Sequence, residues 1–142
     1  MSLSSSYTPA STAQTYTAYF DSNYVPLGVN SVGVNYGVYL TPPTMPTSVK
    51  VGDTAIIGTE TLYTDSTKAT GYGTSAASYV IEADTSTTAI VNLISNIYNT
   101  GNTLLLTEQD RYRITSAGAL TPISADIQYA NGSTTHLILT YN

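Results

Sequence analysis

No cysteine and no tryptophan occur in these 142 residues, and histidine and phenylalanine appear once each. Without cysteine there are no disulfides, no thiolate nucleophile and no thiolate-held metal, while the compartment stays open, because exported and cytosolic chains alike can lack it. A lone histidine leaves zinc without an adequate ligand set. Charge is scarce as well. Lys50, Lys68, Arg111 and Arg113 are the whole basic complement, and nine acidic residues bring the net charge to −5. Four scattered cations do not make a surface that tracks phosphates, so neither nucleic acid nor anionic lipid is an expected partner. The modest negative charge is read as an aid to solubility. No apolar run approaches the roughly 18 to 20 residues needed to span a bilayer, so no transmembrane segment is expected.

What is present is hydroxyl. Thr and Ser together supply 41 residues and Tyr supplies 13, as many as all the charged residues combined. With Val and Ile, these are the side chains that suit a pleated, half-buried surface, and they describe an antiparallel β protein whose solvent faces carry hydroxyls in place of charges. A chain of this length forms one domain and buries roughly 70% of its unfolded surface without a metal or disulfide. Few Lys and Glu beside many Thr, Ser, Asn, Gly and Tyr is a composition associated with exported bacterial or virion surface proteins.

Residues 1–14 read as a Ser/Thr-rich leader or tether, with residues 15–142 as a single all-β domain. The Ser4-Ser5-Ser6 tract resembles the flexible stretch after the lipidated cysteine of a bacterial lipoprotein, which places a lipid anchor upstream among the expectations; a simple disordered terminus is the alternative.

Strand signals then recur. Thr15 to Phe20 alternates Tyr16, Ala18 and Phe20 on one side. From Ser31 to Leu40, Val32, Val34, Tyr36, Val38 and Leu40 fall on one face and Gly33, Asn35, Gly37 and Tyr39 on the other, which predicts one strand with the valines inside and the glycines outside. Asp21-Ser22-Asn23 and Pro26 to Asn30 read as turns. Pro42, Pro43 and Pro46 predict an extended connection, because proline donates no ladder hydrogen bond. Further strands are expected over Ala55–Thr64, Thr74–Ala83, Thr103–Thr115, Leu120–Tyr129 and Thr134–Tyr141, the last two joined by Asn131-Gly132 in a hairpin. Thr88 to Tyr98 is ambiguous: its β-branched content favours a strand, and the spacing of Asn92, Ser95, Asn96 and Asn99 favours one short helix near 87–98. The fold expected is an antiparallel sandwich or a flattened, partly open barrel of about seven to nine strands, mostly up-and-down in its C-terminal two-thirds.

Candidate chemistry is sparse. Glu108 and Asp110 are two apart, which on a strand puts them on one face with α-carbons about 6.5 to 7 Å apart; carboxylates so spaced can divide acid and base roles. They share that face with Tyr112 and Ile114, opposite Gln109, Arg111 and Arg113, and a charged strand end guarding the sheet is the plainer reading. His136 lacks a G-x-S-x-G serine to serve and reads as structural or exposed. Gly71-Tyr72-Gly73 is too short to be a phosphate cradle, and Asp21-Ser22-Asn23 and Asp84-Thr85-Ser86 are too short for calcium. Asn131-Gly132-Ser133 matches a glycosylation acceptor, but its turn role explains it. Tyrosine is amphipathic and stiff, and Tyr36, Tyr39, Tyr72 and Tyr79 are the candidates for a ligand-binding surface, against the reading that they fill a tryptophan-free core.

The expected function is therefore a non-enzymatic binding or structural domain, exported to the bacterial envelope or secreted, that recognises protein or carbohydrate. No cofactor and no metal are expected. Two alternatives stand beside it: a phage or fibre subunit that forms a homo-oligomer, and a small β-barrel carrier or enzyme with an apolar cavity.

Overall fold

The computed structural model describes residues 16–23, 25–31, 35–130 and 136–141. Its strands are β1 (Tyr16–Phe20), β2 (Pro26–Ser31), β3 (Asn35–Tyr39), β4 (Thr54–Tyr63), β5 (Gly71–Ala83), β6 (Thr88–Asn99), β7 (Leu104–Thr115), β8 (Leu120–Tyr129) and β9 (His136–Thr140). All neighbours pair antiparallel in the order β1-β2-β3-β4-β5-β6-β7-β8-β9, one open, unclosed sheet in which each strand hydrogen-bonds to its neighbours along the chain. The all-β, up-and-down architecture matches the expectation from composition and turn spacing.

Three local expectations need correction. The segment near 87–98 is strand, not helix: β6 pairs with β5 through Ala83↔Ala89 to Gly73↔Asn99 and with β7 along its other edge. Pairing on both edges satisfies the backbone as fully as a helix would, and β-branched Ile90, Val91, Ile94 and Ile97 favour the pleat. The long strand expected over 31–40 is instead a reversal. Ser31 pairs with Asn35 and Gly28 with Val38, so Pro26–Ser31, read as turn, is a strand of its own. Pro26 is tolerated because it stands at the first position of β2, beside a register shift in β1. The third correction concerns the faces. Gly37 and Tyr39 lie opposite Leu62 and Glu60, whereas Tyr36 and Val38 lie opposite Tyr63 and Thr61. The glycine side faces inward and the Val38 side outward, the reverse of the expectation. Val32 and Val34, the Asn131-Gly132 hairpin turn and the expected leader fall outside the described residues.

Register partners in an antiparallel sheet share a face, so the ladder sorts the side chains into two sets. One set is richer in apolar residues, Val29, Leu62, Tyr79, Ile81, Val91, Leu93, Ile97, Ala125, Ile127, Leu137 and Leu139, with Glu60, Ser75, Glu108 and Asp110 among them. The other is richer in polar ones, Thr61, Thr74, Ser78, Asn92, Asn96, Thr107, Arg111, Ser124 and Gln128, with Val80, Ile90 and Ile94 between them. The buried hydrophobic residues Leu62, Tyr79, Ile81 and Ala125 all belong to the first. Leu62 is 2% exposed although both its direct partners, Gly37 and Gly73, lack side chains. Its cover comes from beyond those pairs. Register shifts in the β4–β5, β6–β7 and β7–β8 ladders add local bends and twist.

The proline-rich connection behaves as expected. It forms no strand, and it tucks against β4 by donating from the Thr44 amide to the Ile57 carbonyl at 2.8 Å, with Pro43 buried beside Gly58.

Candidate functional site

Glu108 and Asp110 do share the apolar face, as their spacing requires. Glu108 lies between Ser95 and Ile127, and Asp110 between Leu93 and Ala125. Burial among these residues pushes the Glu108 carboxyl up from its ordinary range, and Asp110 beside it adds to the rise. Burial alone raises Asp110. Both are half-buried, and neither borders the hollow described below. Their carboxylates share an electrostatic environment.

A third raised carboxyl, Glu60, was not singled out from sequence. It sits on β4 opposite Tyr39 and Ser75. Desolvation by burial raises it. Its side chain lies across β3 at Gly37: a β-carbon there would come 3.1 Å from the Glu60 carboxyl carbon. A hollow of about 250 Å³ opens at this end of the sheet. Ala18, Phe20, Pro26, Val29, Tyr39 and Glu60 are among its walls. No Lys or Arg lines it. The signal in the sequence was a glycine in a strand, which marks a close approach.

The four candidate tyrosines are dispersed. Tyr39 borders the hollow. Tyr36 lies on the opposite face, where its ring meets that of Tyr19 edge-on at 6.3 Å and the Lys68 ammonium stands 5.8 Å from its centroid. Tyr72 is the extra residue of a bulge between Gly71 and Gly73 and is exposed. Tyr79 is buried on the apolar face. The structure thus brings Tyr39 together with Glu60 and leaves the other three apart.

The hydroxylated face carries a polar network at its centre. Asn92, 3% exposed, donates from Nδ2 to Glu82 Oε1 at 2.9 Å and to Gln109 Oε1 at 3.1 Å. Arg111 donates to the same Gln109 oxygen at 3.3 Å and pairs with Glu82 at 3.5 Å. Asn92 Oδ1 is buried without a hydrogen-bond partner. At the β5–β6 turn, the Arg113 guanidinium donates to Asp84 Oδ2 at 2.7 Å, and together with the Thr88 hydroxyl it holds the Asp84 carboxyl below its ordinary range. His136 contacts Asp126 Oδ1 at 2.5 Å on the exposed end of β9. Among the described residues no three His, Cys, Asp or Glu side chains gather closely enough to hold a metal ion, and no helix is long and apolar enough to cross a membrane.

The far edge of the sheet is the remaining feature. β9 is exposed along its whole length, with Ile138 at 56%. The Tyr141 amide donates inward to the Ile123 carbonyl at 3.0 Å. By alternation, His136, Ile138 and Thr140 direct their amides and carbonyls outward, away from β8. The β8–β9 register runs without a bulge from Gln128↔His136 to Ser124↔Thr140, and the strand holds no proline, lysine or arginine. Comparison of the chain with protein-family models, curated proteins and solved structures gives no match.

Proposed function

We propose that this chain is a non-enzymatic structural and binding subunit that joins its sheet to that of a second copy through β9. The carrying observation is the edge itself: an outward row of backbone donors and acceptors flanked by Leu137, Ile138 and Leu139, with no proline, lysine, arginine or bulge along it. The apolar triplet is also symmetric about Ile138. A two-fold axis there sets Ile138 against its counterpart, Leu137 against Leu139 and His136 against Thr140, all in antiparallel register and without a clash of like charge. Such an isologous contact closes on itself. It also extends the apolar face, covering Leu137 and Leu139, which are exposed in the single chain.

This reading favours the structural-subunit alternative over a carrier, whose ligand is enclosed on most sides. The hydroxyl-rich, lysine-poor composition supports an exported location at a bacterial envelope or virion surface, to be tested by cell fractionation. Sedimentation velocity across a concentration series tests the assembly. The wild type is expected to dimerise and Ile138→Lys to remain monomeric with an unchanged β circular dichroism spectrum. Amide exchange at Ile138 and Thr140 should slow as concentration rises. A wild type that stays monomeric throughout, or β9 amides already protected in the monomer because the chain covers its own edge, overturns the proposal.

A further inference from the structure

At the other end of the sheet, the hollow at β1–β4 combines three properties independent of the β9 edge. It is walled by apolar and aromatic residues, Phe20, Val29, Pro26 and Tyr39 among them. Glu60 is the one acidic residue among its walls, with its carboxyl laid over Gly37 of the neighbouring strand. The hollow contains no cation of the chain's own, and the chain has few to offer. Arg113 is engaged by Asp84, Arg111 by Glu82, Lys68 stands over Tyr36 on the opposite face, and Lys50 is not among the residues that wall the hollow. A negative charge among rings and aliphatic groups, with nothing of opposite sign beside it, is left incompletely compensated. The compensating ligand is a cation with an apolar body, since a bare metal ion would find one carboxylate and no further ligand set.

We infer that this hollow is a binding site for an alkylammonium group, whose charge pairs with Glu60 and whose carbon chain lies against Phe20, Val29 and Tyr39. Aromatic faces and a carboxylate together select such a cation over an uncharged molecule of the same shape. Two sources carry this chemistry, a free amine and a lysyl side chain of another protein, and the hollow reads the group common to both.

The test is a titration of the full chain, followed by the nuclear magnetic resonance shifts of Phe20, Val29, Tyr39 and Glu60, with n-butylammonium and, separately, with n-butanol at matched ionic strength. Saturable shifts are expected for the ammonium and not for the alcohol. Glu60→Gln should weaken ammonium binding by about tenfold or more, whereas Glu108→Gln, which alters a carboxylate away from the hollow, should leave it unchanged. A third titration, with N-acetyl-lysine-methylamide, separates the sources. Tighter binding than butylammonium indicates a protein lysine, and equal or weaker binding a free amine. The inference fails if butanol binds as well as butylammonium, if Glu60→Gln binds as the wild type does, or if no saturable shift occurs. None of these outcomes bears on assembly through β9.

Discussion

The Glu60 carboxyl lies against Gly37 of the neighbouring strand, so close that a β-carbon added at Gly37 would sit 3.1 Å from the carboxyl carbon. What it would meet is the mobile end of a side chain, with no positive φ at Gly37 to strain the substitution. Gly37→Ala is therefore expected to fold with a stability change within about 1 kcal/mol. It should displace Glu60 and lower butylammonium affinity. Urea denaturation and the titration above measure the two effects, and a variant that binds as well as wild type would show that the space over Gly37 is not used.

Gly73 presents the opposite case. Its φ is 153°, and a β-carbon there would come within 1.8 Å of the Tyr98 carbonyl oxygen, a rigid backbone atom of the adjacent strand. Gly73→Ala should cost about 3 kcal/mol or more, read as a fall in the urea midpoint. The neighbouring Gly71→Ala, whose nearest contact would be a methyl at 3.7 Å, is the internal control and should be nearly neutral.

Asn92 holds Glu82 and Gln109 with one amide group. Asn92→Ala removes both bonds, but it also removes the unpartnered Oδ1. The two effects oppose each other, leaving an expected loss of about 1 kcal/mol. A loss several times larger would mean that an ordered water satisfies Oδ1 in solution.

Three carboxyls on the apolar face, Glu60, Glu108 and Asp110, are raised by burial. Each binds its proton more tightly folded than unfolded, so protonation favours the native state. Their contribution is complete below the ordinary values of 4.5 for Glu and 3.8 for Asp and is lost as pH rises through the raised ones. Asp84 runs the other way: its lowered carboxyl loses its stabilising contribution only as pH falls below 3.8. Wild type should thus lose more stability than the double variant Glu108→Gln, Asp110→Asn as pH rises from the ordinary carboxyl values of 4.5 and 3.8 through the raised ones. The variant should be the more stable of the two at neutrality. Parallel pH profiles for the two proteins would contradict this assignment.

Much of the sheet was legible because alternation and turn chemistry act locally. Leu120–Tyr129 emerged with both ends placed, and Glu108 and Asp110 fell on the face that their spacing dictates. Alternation does not say which face is inside, however, when glycine occupies one side. At Gly37 the absent side chain is what admits Glu60, so the small residue points inward and Val38 outward. Nor does a period of two reveal a reversal of chain direction: Ser31 and Asn35 pair across the hairpin with parity unchanged, so the strand read over 31–40 ran straight through it, while Pro26 to Asn30 read as turn. Gly71-Tyr72-Gly73, too short for a phosphate cradle, is a bulge that turns Tyr72 outward. Glu60 escaped notice because its environment is assembled by β1, β2 and β3, elements that no window around residue 60 contains.

The ladder order has a kinetic consequence. Each strand finds its partner immediately before or after it in the chain, so the longest loop that must close between described neighbours is the proline-rich connection over residues 40–53. Loop-closure entropy, which slows most all-β proteins, is small at every step. The sheet can grow one hairpin at a time as it leaves the ribosome, and β9, with the apolar edge, joins only after β8 is in place.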